Sequence, residues 1–269
     1  MAHIDANLAF DPDTEARLRK VTVVAVAAAL GPGWADSDWH AHDSGQLLYL
    51  AKGSVRLEYG DGSALLPPGR VAWIAPRQLH RTRMSEATAY RALYFTTSPA
   101  CLPSCGVAFR GASPLLREVL ERLAHAPFDT DWHAGPQARL LQVVLDEIAQ
   151  ASEEALALRQ PHSKRLVQWL AAVKAGDVPP PLARAALQLA LSPKTVTRAF
   201  RSETGMGYQQ WRQQWRLLKA MELLLAQVPG KQVAFRLQFS SEASFITFFK
   251  GQTGQTPGAF LRAGRPVSP

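Results

Sequence analysis

The sequence predicts an α+β chain of two domains: a small antiparallel β-barrel or jelly roll, then an all-α region with two helix-turn-helix units joined by a long helix. Three observations carry this expectation. Residues 20–97 break into short apolar stretches separated by Gly, Pro and Asp turns, the pattern of an all-β segment. From His162 onward, apolar residues recur at helical spacing. The charge is also unevenly placed. The 269-residue chain has a formal net charge of +8; residues 160–269 hold 15 Lys and Arg against 4 Asp and Glu, and residues 1–159 hold 15 against 18. The basic excess belongs to the C-terminal part. A compact cationic region suits a polyanion, nucleic acid first, against the plainer alternative of a solvated basic surface.

Six apolar stretches are read as strands: Val21–Leu30, Leu47–Leu50, Val55–Tyr59, Ala64–Leu66, Val71–Ile74 and Tyr90–Phe95. Tyr59-Gly60-Asp61-Gly62 is a hairpin signal, and Pro67-Pro68-Gly69 is a second break. Residues 98–112 are expected to be irregular. Leu115, Leu116, Val119, Leu120 and Leu123 form the apolar face of one helix, stopped by Pro127. A second is expected from Pro136 to Leu158, with Pro161 as a boundary. Then come helices over Lys164–Ala175, closed by Gly176, and over Leu182–Leu189. Ser192-Pro193 is a start signal, with Ser as N-cap and Pro in the first turn, for a helix running to Glu203 and stopping near Gly205. A long helix follows over Tyr208–Ala226, then a pair over Gln232–Gln238 and Ser241–Gly251, and a last helix after Pro257.

The composition, 47% hydrophobic, supplies a core for each domain and excludes a chain disordered throughout. Two cysteines, Cys101 and Cys105, cannot build a disulfide framework; they are read as inert thiols, with a redox switch as the alternative. Val21–Leu30 is too short to span a bilayer, and the acidic approach over Met1–Arg17 argues against a signal peptide. A cytoplasmic protein with no membrane association is expected.

The C-terminal helices carry the sharper signal. Ala186, Ala190 and Val196 have the small-residue and packing spacing of a helix-turn-helix. Val196 and Phe200 share one face, leaving Lys194, Thr195, Thr197, Arg198 and Arg201 largely away from it. The plan repeats about 48 residues later: Ala186 with Ala234, Ser192 with Ser241, Phe200 with Phe249. Two such units on a rigid connector would touch successive turns of one duplex face. Trp211, Trp215, Leu218 and Leu225 are read as core of that connector, and Arg212 and Arg216 as either phosphate contacts or partners within the module.

These residues resemble a known family. The run from Ser192 through Gly205 looks like the first reading helix of AraC/XylS-type transcription regulators. Trp211 through Leu217 resembles the start of their connecting helix, and Phe245 through Phe260 their C-terminal signature. The resemblance covers about 100 residues and implies sequence-specific binding to double-stranded promoter DNA. By position it implies base contacts from Lys194, Thr197 and Arg198 in the first unit and from Glu242, Ala243, Ile246 and Thr247 in the second, with Arg201 and Lys250 better suited to phosphate. Two departures stand out. Gln238 occupies a turn where the family usually has Gly, and an αL backbone is harder to reach without it. Glu242 could accept from cytosine N4, repel phosphate, or serve only the helix macrodipole.

In the N-terminal part, His40 and His42 alternate beside Gln46, and His80 lies further on; three imidazoles meeting in a barrel would suit Zn²⁺, Fe²⁺ or Ni²⁺. The arrangement resembles the motifs of cupins, though Gln46 stands where metal-bearing cupins usually have Glu. His40 through Tyr49, Pro67 through Ile74 and Leu93-Tyr94-Phe95 look closest to regulators with a cupin-like sensor. That resemblance implies an effector-sensing barrel, with His40, His42, Gln46 and His80 as candidate effector-binding residues; Tyr49 and Trp73 are read as packing residues, with lining of the effector pocket as the alternative. No cofactor is expected, with a divalent metal on His40, His42 and His80 as the alternative.

The domains expected are therefore a cupin-like sensor over 1–100, a helical linker and dimerisation segment over 101–160, and an AraC-type DNA-binding domain over 161–265, with units at about 182–203 and 230–251. The leading function is a non-enzymatic, small-molecule-responsive transcription regulator, a homodimer that meets RNA polymerase if it activates. Two other readings stand beside it: a metal-dependent cupin enzyme with an accessory basic domain, and an architectural DNA protein.

Overall fold

The computed structural model describes residues 23–30, 37–60, 62–84, 88–127, 129–154, 156–173 and 177–263. The expectations placed on Met1–Arg17, on the start of the first strand and on Asp61 and Gly176 lie outside them. The chain divides into two compact units. The first is built from the described parts of Met1–Tyr59, Leu66–Leu156 and Ala263–Pro269, the second from those of Gly60–Leu65 and Ala157–Arg262.

Nine strands occur among the described residues: β1 (Val23–Leu30), β2 (Gly45–Lys52), β3 (Val55–Tyr59), β4 (Gly62–Leu66), β5 (Arg70–Ile74), β6 (His80–Arg83), β7 (Thr88–Phe95), β8 (Val107–Gly111) and β9 (Ala157–Arg159). In the first unit, an antiparallel sheet runs in the order β1-β7-β2-β5-β8, and β3 pairs with β6. Helices α1 (Pro114–Ala124) and α2 (Gly135–Gln150) cover one face of that sheet. Strand alternation decides which residues they cover. Leu47, Tyr49, Val71, Trp73, Leu93 and Phe95 pack with Leu116, Val119, Leu120, Leu123, Val144 and Ile148. Val24, Val26, Ala92 and Tyr94 belong to a separate cluster. Trp73 lies over Gly45: a Cβ there would stand 2.1 Å from the indole. Its Nε1 donates to the Pro103 carbonyl at 2.8 Å.

Four expectations change. Residues 98–112 hold β8, paired with β5 from Arg70↔Gly111 to Ile74↔Val107. His80 begins a strand not read from the sequence. Leu115 is 52% exposed, since it sits at the edge of the α1 stripe, one residue round from Leu116. The helix expected to reach Leu158 ends at Gln150. Beyond it, Glu153 pairs with Arg110 and Glu154 with buried Arg70, each at 3.0 Å, and Glu154 N–H donates to the Phe109 carbonyl. Two ion pairs and a backbone bond thus hold extended chain along β8.

In the second unit, β4 pairs with β9 and seven helices follow: α3 (Lys164–Ala172), α4 (Leu182–Gln188), α5 (Pro193–Thr204), α6 (Tyr208–Leu225), α7 (Gly230–Arg236), α8 (Glu242–Thr253) and α9 (Pro257–Ala263). Trp169, Phe200, Tyr208 and Trp211 make one aromatic core. Phe239, Phe245, Phe249 and Phe260 make another. None of the helices among the described residues is long and apolar enough to cross a membrane.

Candidate functional site

Helices α4 and α5, and again α7 and α8, are short-then-long pairs around a tight turn. Ser192 Oγ accepts from Thr195 N–H at the start of α5, and Ser241 Oγ accepts from Ser244 N–H at the start of α8. Each helix ends on a left-handed glycine, Gly205 and Gly254. The correspondence reaches single hydrogen bonds. Thr204 Oγ1 donates to the Phe200 carbonyl and Thr253 Oγ1 to the Phe249 carbonyl, both at 2.8 Å. Val196 and Phe200 are fully buried, as are Phe245 and Phe249. Opposite them, Lys194, Arg198 and Arg201 are exposed on α5, and Glu242, Ala243, Ile246, Thr247 and Lys250 on α8. Thr197 is half-buried, its hydroxyl donating to the Pro193 carbonyl. The Glu242 carboxylate lies against Gly230 at the start of α7.

The turns are left-handed without glycine: Ala190 has φ 48° and Gln238 φ 58°. An arginine from a preceding helix grips each. Arg165 donates to the Leu189 carbonyl, and Arg216 to those of Leu237 and Gln238. Buried Arg216 also lies over the Phe239 ring at 3.6 Å. Arg212 donates to the Pro179 carbonyl. Of the two alternatives left open for Arg212 and Arg216, the structure selects contacts within the module.

In the first unit, His40, His42 and His80 meet, one ring nitrogen of each within 4.8 Å of the others. His40 exchanges backbone hydrogen bonds with His80, and the His42 carbonyl accepts from the Arg77 N–H, three residues before His80. His42 Nε2 is 3.2 Å from Gln46 Oε1, and the Gln46 amide is also bonded to the Tyr90 and Tyr94 hydroxyls. A neutral His42 with its proton on Nδ1 is best served by the amide turned so that its N–H₂ faces the ring and its oxygen accepts from both tyrosines. Burial lowers the His80 pKa to about 4 and lowers that of His40 as well. Burial likewise raises the Tyr90 pKa to about 12 and holds that of Tyr94 well above its usual value, so both remain hydroxyl donors at neutral pH.

Tyr49 and Trp73 do not join this cluster. Tyr49 alternates with Gln46 along β2, and both rings pack under α1 and α2. Tyr90 and Tyr94 take that place, and sequence reasoning missed them. Their signal was present only as alternation in β7; it needed the register Gln46↔Tyr94 to become a site.

Profiles of two families match this chain: the AraC-like ligand binding domain over residues 24–100 and a helix-turn-helix domain over residues 185–263. The chain is 30% identical over 252 residues to the HTH-type transcriptional regulator NimR of Escherichia coli K12, covering 91% of this chain and 90% of that protein. This chain belongs to the AraC family of transcription regulators. Among solved structures it is similar to apo ToxT of Vibrio cholerae (13% identity, 90% of this chain, 98% of that one, TM-score 0.34). It is also similar to the C-terminal domain of AraT from Geobacillus stearothermophilus (26% identity, 39% of this chain, 89% of that one, TM-score 0.35).

As an AraC-family regulator the chain binds DNA and responds to a small molecule, and the enzyme alternative is not favoured. The ligand-domain match takes in the three histidines, Gln46, Tyr90 and Tyr94. The helix-turn-helix match runs from within α4 to the end of α9.

Proposed function

We propose that α5 and α8 are the two reading helices of this regulator, entering successive major grooves of one promoter duplex. Lys194, Thr197 and Arg198 face base edges from α5; Glu242, Ala243, Ile246 and Thr247 do so from α8; Arg201 and Lys250 hold phosphates. One observation carries this assignment. The two helices share caps, buried aromatic anchors and internal hydrogen bonds, yet their outward side chains differ, as two readers of different bases require. The cationic surplus of residues 160–269 supplies the counterion-release part of affinity. With Glu242 against α7 and no arginine outward on α8, the first helix supplies most of the specificity.

The effector pocket is assigned to His40, His42, Gln46 and His80 with Tyr90 and Tyr94, while Tyr49 and Trp73 form the core behind it. The regulator works in the cytoplasm as a homodimer, through the half-covered Leu140, Leu141 and Leu145 of α2, and meets RNA polymerase where it activates. The test is selection of bound sequences from a random duplex pool at stated salt, with sedimentation for the oligomer. A recovered motif with half-sites is expected. A well-folded protein that enriches nothing would refute the reading.

A further inference from the structure

The two long helices of the duplication can be laid over one another residue by residue. The caps Ser192 and Ser241, the anchors Val196 and Phe245, Phe200 and Phe249, and the threonines Thr204 and Thr253 fall in the same order at the same spacing. That frame pairs Lys194 with Ala243, Thr197 with Ile246, Arg198 with Thr247 and Arg201 with Lys250. The cation far along the outward stripe is kept. The two cations nearer the helix start are replaced by Ala and Thr, and the threonine between them by Ile.

Ala243, Ile246, Thr247 and Lys250 stand on one stripe of α8 and all are exposed, opposite the buried Phe245 and Phe249. The hydroxyls at the start of α8 are spent on the cap. Ser241 N–H donates to Ser244 Oγ, which donates on to the Ser241 carbonyl, and Ser240 Oγ donates to Ser244 Oγ. The Glu242 carboxylate lies against Gly230. Between Glu242 and Lys250 the helix carries no guanidinium, amide or ammonium group. What its first two turns hold outward is methyl groups, with 38% of Ile246 exposed.

We infer that α8 reads the 5-methyl groups of thymines in its half-site, through Ala243, Ile246 and Thr247. The inference rests on the reading of α8 as a helix in the major groove and names the base chemistry it takes. In that groove thymine is the one unmodified base that presents a methyl; the other base edges present lone pairs and N–H groups. Ile246 laid over such a polar edge strands it from water without a partner. Laid over a methyl, it removes apolar surface from water on both sides. The first turns of a reading helix are the part that approaches base edges, and the three side chains stand there. Thr247 adds a hydroxyl able to donate to thymine O4 or adenine N7. Lys194 and Arg198, at the matching places on α5, suit guanine O6 and N7 instead. The duplication thus pairs a reader of guanine lone pairs with a reader of thymine methyls, and each keeps a phosphate-holding cation.

The experiment uses the full-length protein and the duplex it selects from a random pool. Deoxyuridine replaces each thymine in turn, which deletes one methyl and leaves the Watson–Crick pair intact. A loss of about fourfold in affinity is expected for each methyl that α8 covers. The same scan with Ile246→Ala should find the penalty gone at one or more of those thymines, while Arg198→Ala should keep it. Ile246 is exposed, and an unchanged urea midpoint verifies that its variant folds. Placing 5-methylcytosine at a methyl-read position should bind more tightly than cytosine there. A motif without thymine, a uracil scan without penalties, or penalties of the same size in Ile246→Ala would each overturn the inference. The outcomes separate the two readings. A motif indifferent to uracil sinks only the methyl readout, whereas a folded protein that enriches no motif sinks the reading-helix assignment and this inference with it.

Discussion

Arg216 Nε donates to the Leu237 carbonyl oxygen at 3.0 Å, across the turn between α7 and α8. Its terminal nitrogen reaches the Gln238 carbonyl at 3.3 Å, and its plane covers Phe239. Burial, with Arg212 adding a smaller like-charge effect, lowers its pKa to about 10, which still leaves it cationic at pH 7. The guanidinium therefore takes up carbonyls that a left-handed turn exposes, and it anchors the turn to α6.

Arg216→Met should cost about 2–3 kcal/mol, because it strands the Leu237 carbonyl and removes the stack on Phe239. Arg216→Lys should restore little, since an ammonium cannot grip two carbonyls in a plane. Gln238→Gly should act oppositely, gaining about 0.5–1 kcal/mol by relieving a positive φ. Urea unfolding of the full chain followed by Trp fluorescence reads all three. A neutral Arg216→Met would show that the turn holds itself.

On DNA, Arg198→Ala should lower specific binding by about 1–3 kcal/mol and leave nonspecific binding nearly unchanged. Lys250→Ala should weaken both and reduce the salt slope by about 1. Titrations of a selected duplex and a scrambled one across a salt series separate the cases. Equal losses for Arg198→Ala on both duplexes would remove it from base reading.

Glu203 supplies a pH dependence. Its carboxylate accepts from the His162 and Ser163 backbone N–H groups at 2.8 and 2.9 Å, capping α3 from the end of α5. Burial works to raise its pKa, but the bonds from Ser163 and His162 outweigh burial and the folded value lies below 4.5. A depressed carboxylate stabilises the fold above its unfolded pKa, and that contribution fades as pH falls through the folded pKa. Glu203→Gln should therefore cost about 1–2 kcal/mol at pH 7 and little at the acid end. Stability measured from pH 7 down to about pH 3 should fall less steeply for the variant, by up to one proton. Parallel curves would exclude Glu203 as the cap.

Gly45→Ala tests the wall behind the histidines. The added methyl meets the Trp73 indole, which the Pro103 carbonyl holds in place. A loss of about 1–3 kcal/mol is expected in thermal unfolding. An unchanged midpoint would mean that the indole moves freely.

Much of this was legible because it is local. Ser192 and Ser241 announce helix starts by their side chains, and Val196, Phe200, Phe245 and Phe249 announce buried faces by spacing. The three histidines were found because their residue type is scarce and chemically pointed. What stayed hidden depends on pairing across distance. Tyr90 and Tyr94 reach Gln46 through a strand register 48 residues away. Arg216 satisfies carbonyls, and a backbone carbonyl leaves no mark on composition. The end of α2 at Gln150 is decided by Arg70 and Arg110, which lie on strands far back in the chain. For Tyr49 and Trp73, residue type alone leaves packing and pocket lining both open, and alternation along β2 and β5 is what puts them in the core.

Helix α6 packs against α5 on one side and α7 on the other, and it also supplies the arginine that clamps the second turn. It is at once the last member of one copy of the duplication and the first of the next. Drift can repaint the outward side chains of either long helix independently. The angle between those helices has no such freedom, because any change that retunes α6 for one copy is felt by its twin.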